Sequence, residues 1–349
     1  MELRFWCGKQ GGLKQETAQL ILHLKAMLSG GVHSLVLYPQ SLQERASDWL
    51  GSKEWKEFPG DEGYLTVFTS GTTDIPKPIK KHFPSYYGSK KEKLGSNYRW
   101  LLTYNPYRWA GISMITHALR TGAELVVPDS LDARDLLREL PSVSHISITP
   151  SLFRKLILAD TDGLLYKCAL KQITFGGEFA TQSVLDLTNK YWPGARVTHV
   201  YASTEHGDIC SVSDGLAGIP ADKWKNGSFT EAGELVISGH PTGDIWALKN
   251  GRYYFQGRVQ DVANVGGAKV YLSSVEEAAL AIAGVMQARA YAVSSPLVGQ
   301  LVAMDYVGEI AVEDLKGQLR KVLPKTAMPV KLNRVEALDL SEAGKLRRR

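Results

Sequence analysis

The chain has 349 residues, 44% of them hydrophobic, with a net charge of +5 and three cysteines. That apolar fraction supports a substantial core and excludes a disordered chain, and no apolar run reaches the length of a membrane span. The charge is modest and no dense basic arm is present, which argues against nucleic acid as a partner. Cys7, Cys168 and Cys210 are too few and too scattered for a disulfide framework and fit a reducing cytoplasm. The opening MELRFWCGKQGGLKQE lacks the apolar core of a secretion signal.

In chain order, HSLVLYP (33–39), YLTVFTSG (64–71), RWLLTYNP (99–106), AELVVPD (123–129), SHISITPS (144–151), LKQITFGGE (170–178) and ARVTHVYAS (195–203) read as strands. ISMITHALRTG (112–122) and TQSVLDLTNKYWPG (181–194) read as helices between them. This alternation predicts an α/β fold: a large N-terminal domain of layered, mostly parallel sheets and helices. GELVISG (233–239) and IWALKNGRYYFQG (245–257) read as short strands, the second with a hairpin signal at Asn250-Gly251. A compact α+β pattern then follows, with helices over 275–284 and 312–324 and strands over 287–295 and 301–308. A boundary near Gln260 divides the chain into 1–259 and a small, mobile C-terminal domain, 260–349.

FTSGTTDIPKPIKKH (68–82) follows a strand and places Thr69, Ser70, Gly71, Thr72 and Thr73 ahead of Lys77. Glycine permits close backbone approach, hydroxyls donate, successive amides form an anion nest and lysine adds a point charge, a combination suited to phosphate. It is not a Walker loop, because Pro76-Lys77-Pro78 stands where Gly-Lys-Ser/Thr is required. A Ser/Thr-rich surface turn remains the other reading of this segment alone.

TSGTTDIPK resembles the phosphate loop of the adenylate-forming superfamily, which comprises acyl- and aryl-CoA ligases, adenylation domains of peptide synthetases and luciferases. Five further stretches resemble that family's motifs in its order. FGGEFA (175–180) is similar to the segment lining the adenine and acyl pocket, which implies roles there for Gly176, Gly177 and Glu178. VYASTEHGD (200–208) is similar to its Tyr-Gly-x-Thr-Glu motif, implying that Tyr201 stacks on adenine, Thr204 bonds a phosphate oxygen and Glu205 holds Mg²⁺; a strand end with a helix cap is the plainer alternative. PTGDIWALKNGRYYFQGRVQD (241–261) implies Asp244 on the ribose hydroxyls, Arg258 near the ribose or α-phosphate and Gln260 at a hinge. VANVGGAKVYLSSVEEAAL (262–280) implies that Gly266 and Gly267 flank a thiol tunnel, unless they are a plain turn. LDLSEAGKLRRR (338–349) aligns Lys345 with the catalytic lysine, which bridges carboxylate and α-phosphate oxygens as charge builds.

The resemblance covers roughly residues 60 to 349. Two positions of the loop depart from it: Asp74 and Pro78 stand where glycine is usual. Aspartate tolerates a left-handed backbone, but its charge beside polyphosphate is unfavourable unless Mg²⁺ or Lys77 screens it. The region before the loop is short for the family, so a partner chain or homo-oligomer is an expected cover for the exposed face. The acyl pocket is expected from Asn105, Tyr107, Trp109, Phe175, Val200 and Ala202. A neutral Asn105 disfavours an α-amino acid, and Val200 narrows the tunnel, so a compact aromatic or short acyl acid is expected; ordinary core is the alternative for the aromatic residues.

The function these features imply is ATP- and Mg²⁺-dependent activation of a small carboxylic acid to acyl-AMP, with transfer to a thiol, CoA first. Transfer to the phosphopantetheine arm of an acyl carrier protein is the second reading. A degenerate, non-catalytic nucleotide-binding protein is the third.

Overall fold

Parallel pairing through a helical crossover organises the first of two units, Met1–Ile148 with Ala159–Ile173. The computed structural model describes residues 3–7, 12–28, 34–38, 63–68, 78–83, 87, 97–203, 206–224, 227–341 and 345–346. Strand β1 (Leu3–Cys7) runs parallel to β2 (Ser34–Tyr38), with helix α1 (Leu13–Leu28) between them in the chain. Strand β3 (Tyr64–Phe68) adds in parallel and β4 (Pro78–His82) closes the edge antiparallel. Helix α1 buries Thr17, Leu20, Leu24 and Met27, a three-to-four spacing that presents one face. Leu20 and Leu24 pack with Leu35, Leu37, Leu65 and Val67, and each fully buried leucine contributes about 1.5–3 kcal/mol. Pro78 pairs with Phe68 as the first residue of the edge strand, a place where a missing N–H costs little. Farther along, β5 (Arg99–Leu101) pairs in parallel with both β6 (Glu124–Val126) and β7 (His145–Ile148). Helices α2 (Trp109–Thr121) and α3 (Ala133–Glu139) lie in the intervening sequence.

The second unit is Thr149–Leu158 with Thr174–Arg349. It contains most of helix α4 (Pro150–Ala159), and β8 (Gln172–Phe175) straddles the division. Pro150 opens α4 where no N–H is needed, and Thr149 Oγ1 accepts from the Leu152 N–H. Helix α5 (Gln182–Tyr191) leads to β9 (Arg196–Ser203), which lies between β8 and the antiparallel β10 (Gly207–Val212).

A five-stranded antiparallel sheet follows, built from β11 (Ile219–Pro220), β12 (Gly227–Phe229), β13 (Glu234–Ile237), β14 (His240–Lys249) and β15 (Arg252–Arg258). Its spatial order is β11-β15-β14-β13-β12. Asn250 and Gly251, at φ 51° and 74°, form the left-handed turn that the Asn-Gly pair predicts.

Beyond it lie β16 (Val262–Val265), β17 (Ala268–Tyr271), helix α6 (Leu272–Leu280), β18 (Val285–Ser295), β19 (Gly299–Gly308), helix α7 (Val312–Val322) and β20 (Lys331–Arg334). The sheet order is β17-β16-β19-β18, with β20 parallel on β19. Val275 and Ala279 of α6 and Leu315 and Leu319 of α7 share a core with Ala288, Met304 and Tyr306. The whole is a mixed α/β fold. Among the described residues, no helix is long and apolar enough to cross a membrane.

Candidate active site

The hairpin of β14 and β15 supplies the first charged pair. From the Asn250-Gly251 turn, Lys249 pairs with Arg252, but the register slips by one residue between Ile245 and Trp246. That slip sets Arg258, rather than Gly257, opposite Asp244. Arg258 Nε lies 2.9 Å from Asp244 Oδ1, yet the approach is not that of a hydrogen bond, and among the described residues this buried oxygen accepts none. The other oxygen, Oδ2, accepts from Tyr201 Oη at 2.7 Å. Asp244 is thus charge-paired and half-satisfied: a 5% exposed carboxylate side chain beside a 44% exposed guanidinium. A buried acceptor with an unfilled lone pair suits a ligand hydroxyl, and Arg258 is the movable member of the pair.

Tyr201, carried on β9, is itself buried. Phe179 stacks on it at 5.5 Å and 25°, Trp246 meets it edge-on at 5.3 Å, and Phe179 stacks in turn on Phe255 at 3.8 Å. Burial first, and the Asp244 charge second, push the phenol well above its ordinary pKa, so it stays a donor at any physiological pH. The ring assigned to adenine by resemblance is thereby also a structural support for Asp244.

The Gly176-Gly177-Glu178 stretch leaves the end of β8. Gly177 has φ +80°, and a Cβ there would sit 3.2 Å from Lys345 Cε and 3.4 Å from Thr149 Cγ2. Only glycine gives both the backbone and the space for the Lys345 side chain. Lys345 itself is tied back to the chain before it by Ser341 N–H to Lys345 O at 2.7 Å and, through its neighbour, by a bridge between Leu340 and Leu346. Glu178 spans two segments: Oε2 accepts from Ser151 N–H at 2.9 Å and Oε1 from Leu346 N–H at 3.1 Å. The structure therefore brings Gly177, Glu178 and Lys345 together, and separately Tyr201, Asp244 and Arg258.

The remaining expected residues are distributed as follows. Thr69, Ser70, Gly71, Thr72, Thr73, Asp74 and Lys77 of the phosphate loop, and Thr204 and Glu205, lie outside the described residues. Among the described residues no cluster of three or more His, Cys, Asp and Glu side chains forms a metal site. Asn105, Tyr107 and Trp109 belong to the first unit. There Asn105 Oδ1 accepts from Tyr107 N–H at 2.9 Å, and Tyr107 Oη donates to Glu16 at 3.2 Å. Phe175, Val200 and Ala202 belong to the second. Phe175 is fully buried with its ring 5.6 Å from Phe153, Val200 is half-buried and Ala202 is exposed. Gln260 is exposed in the turn between β15 and β16. Gly266 and Gly267, at φ 57° and 86°, make the two-residue hairpin turn joining β16 to β17, which accounts for both glycines on backbone grounds. Cys168 and Cys210 are buried thiols whose pKa burial raises to about 12 and about 11, so neither is a nucleophile at neutral pH.

Three participants carry no sequence signal: the N–H groups of Ser151 and Leu346, and Arg154. The first two are main-chain donors, which any residue but proline would supply. Arg154, 3% exposed on α4, donates to Ser183 Oγ at 2.6 Å and to Met286 O at 3.3 Å. Burial lowers its pKa to about 10 and the Glu178 charge opposes that shift.

This architecture recurs in solved structures. The amide bond synthetase from Marinactinospora thermotolerans superposes with a TM-score of 0.70 at 17% identity, covering 99% of this chain and 87% of that one. The O-succinylbenzoate coenzyme A synthetase from Bacillus subtilis gives 0.65 at 17% identity, covering 96% and 88%. At such identities the likeness defines the fold, that of the adenylate-forming enzymes. The AMP-binding enzyme family model matches residues 13–239, and the chain belongs to that family. Among curated relatives, a protein named long chain fatty acid-CoA ligase VraA from Staphylococcus haemolyticus is 24% identical over 317 residues. The 2-succinylbenzoate–CoA ligase of Staphylococcus aureus is 26% identical over 326 residues. These alignments take in 80% and 81% of this chain but 68% and 65% of the relatives, so the chain spans about two thirds of their length.

Proposed function

We propose that the protein is an AMP-forming acid–thiol ligase. The carboxylate oxygen of a small acid attacks the α-phosphorus of ATP and pyrophosphate leaves. A thiol, that of CoA in the leading reading, then attacks the acyl carbon, losing its proton as AMP departs. The observation that carries this reading is Lys345 lying against Gly177, beside a segment the family uses to line its nucleotide and acyl pocket. An ammonium there stabilises negative charge that grows on the carboxylate and α-phosphate in the transition state. Asp244, with one oxygen unfilled, takes the ribose hydroxyls, and Arg258 takes the ribose or α-phosphate. Thr69, Ser70, Gly71, Thr72, Thr73 and Lys77 cradle the polyphosphate, Thr204 bonds a phosphate oxygen, and Glu205 would hold Mg²⁺, which would offset the phosphate charge. For the second step, residues 260–349 turn about Gln260, withdrawing Lys345 and presenting Gly266 and Gly267 at the thiol entrance. The half-buried Val200 keeps the acid compact, aromatic or short-chain.

The test is acid-dependent pyrophosphate release from ATP over a panel of aryl and short acyl acids. Release with at least one compact acid, reduced about 100-fold or more by Lys345→Ala, is expected, in line with the loss of one preorganised charge. No release with any acid overturns the reading. Adding CoA, or a carrier protein bearing phosphopantetheine, to the active mixture then identifies the acceptor.

A further inference from the structure

We infer that Glu178 is a positioning residue for Lys345, acting as a latch on the chain that carries it rather than as a wall of the nucleotide pocket. This rests on the reading above that Lys345 acts in adenylation. The geometry is specific. One carboxylate oxygen is held by the Ser151 N–H in the first turn of α4, at 2.9 Å. The other takes the N–H of Leu346, the residue directly after the lysine, at 3.1 Å. The first contact fixes the carboxylate on a helix N-terminus, where negative charge is favoured. The second attaches Lys345 and Leu346, which are tied to Ser341 by the Ser341–Lys345 backbone bond, to that fixed point. The side chain of Lys345, an exposed residue, runs over the bare backbone of Gly177, next to Thr149, the residue that caps the same helix.

A second contact between the same helix and the C-terminal region supports this assignment. Arg154, one turn along α4 from Ser151, donates to the carbonyl of Met286 in β18. Helix α4 therefore holds the 260–349 segment at two points, once through its arginine and once through Glu178. Each contact is a charge-assisted bond to a main-chain group, strong enough to set a pose and breakable without a side-chain partner to rearrange. Any rotation that withdraws Lys345 must first break the Glu178–Leu346 bond.

The experiment compares Glu178→Ala and Glu178→Gln with the native protein in two assays. Limited trypsin digestion, followed by mass spectrometry, reads cleavage after Lys345. We expect it to quicken about tenfold in the alanine variant and less in the glutamine variant, which keeps one acceptor oxygen and the side-chain shape, as loss of a charged hydrogen bond predicts. Cleavage elsewhere in the chain serves as the folding control and is expected to be unchanged. Acid-dependent pyrophosphate exchange then separates the two roles open to Glu178. A latch lowers kcat about tenfold with the KM for ATP unchanged, with partial rescue in the glutamine variant. A rise in KM with kcat unchanged makes Glu178 a nucleotide contact and overturns the proposal, as does native-like cleavage after Lys345. The digestion does not depend on turnover. A protein that never exchanges pyrophosphate therefore refutes the ligase reading while leaving the latch to be decided by trypsin.

Discussion

Two aspartates in this protein are buried with the same companions, an arginine and a tyrosine, and are finished differently. Asp305 on β19 accepts from Arg289 at 2.9 Å, Tyr291 at 3.2 Å and Asn333 at 2.8 Å, so both of its oxygens are filled. Its arginine partner is buried as well, with a side chain 10% exposed. Among the described residues Asp244 on β14 accepts from Tyr201 alone, and its arginine side chain is 44% exposed. The difference separates a carboxylate saturated by its neighbours from one with an oxygen left open among the described residues, the one we propose takes a ligand hydroxyl. A saturated carboxylate has no capacity left, whereas a buried oxygen without a donor is a standing cost that a ligand hydroxyl relieves.

Breaking each cluster at its aspartate gives the largest contrast. Asp305→Ala leaves the Arg289 guanidinium buried without this carboxylate, and a loss of about 3–5 kcal/mol is expected in urea unfolding. Asp244→Ala leaves only the Tyr201 hydroxyl without an acceptor, because Arg258 can turn to water, and about 1–2 kcal/mol is expected. Its main effect falls on the ligand instead. The KM for ATP in pyrophosphate exchange rises roughly 10- to 100-fold, the value of one or two hydrogen bonds to a charged acceptor. Equal destabilisation by the two variants would erase the distinction.

The tyrosines sharpen it. Tyr201→Phe strips Asp244 of the one hydrogen bond its carboxylate accepts among the described residues, and about 1.5–3 kcal/mol is expected in the same unfolding assay. Tyr291→Phe leaves Asp305 with Asn333 and Arg289, and about 0.5–1 kcal/mol is expected. Saturating ATP should narrow the Tyr201→Phe deficit if ribose hydroxyls occupy the open oxygen, and should leave Tyr291→Phe unchanged.

The contrast also shows what the residues announce and what they hide. Seven of the eight strands from Ser34 to Ser203, all but the edge strand β4, and the Asn250-Gly251 hairpin are legible because apolar alternation and turn chemistry are local signals. Asp244 and Arg258 stand out as motif positions, but their opposition depends on a one-residue slip in β15 that no residue type marks. Likewise SHISITPS reads as strand to its end, whereas Pro150 already starts α4, because a capping threonine before proline is as good a helix start as a strand end. Tyr201 and Asp244 are 43 residues apart, and Glu178 and Leu346 are 168 apart. Contacts of that range follow from the assembled sheets, and when one partner is a backbone N–H there is no side chain to betray it.

Acid offers the gentlest test, because it reaches buried groups of a third kind: imidazoles kept neutral by burial. His117, His145 and His199 all have pKa values lowered from 6.5 chiefly by burial. At His145 the Lys171 charge adds to the shift, and at His199 the Leu216 carbonyl and Asp214 oppose it. An unfolded imidazole takes up its proton near pH 6.5, and the folded one only at lower pH. Between those values the unfolded chain binds more protons, so stability is complete above 6.5 and falls as pH drops toward the folded pKa. Urea unfolding at pH 7.5 and 5.5 is expected to differ, with the acidic sample less stable. Repeating the pair in Asp305→Ala and Asp244→Ala tests independence: the histidines lie outside both aspartate clusters, so the pH increment should survive either substitution. An increment that vanished with one aspartate would show that its cluster, and not the imidazoles, governs stability in this window.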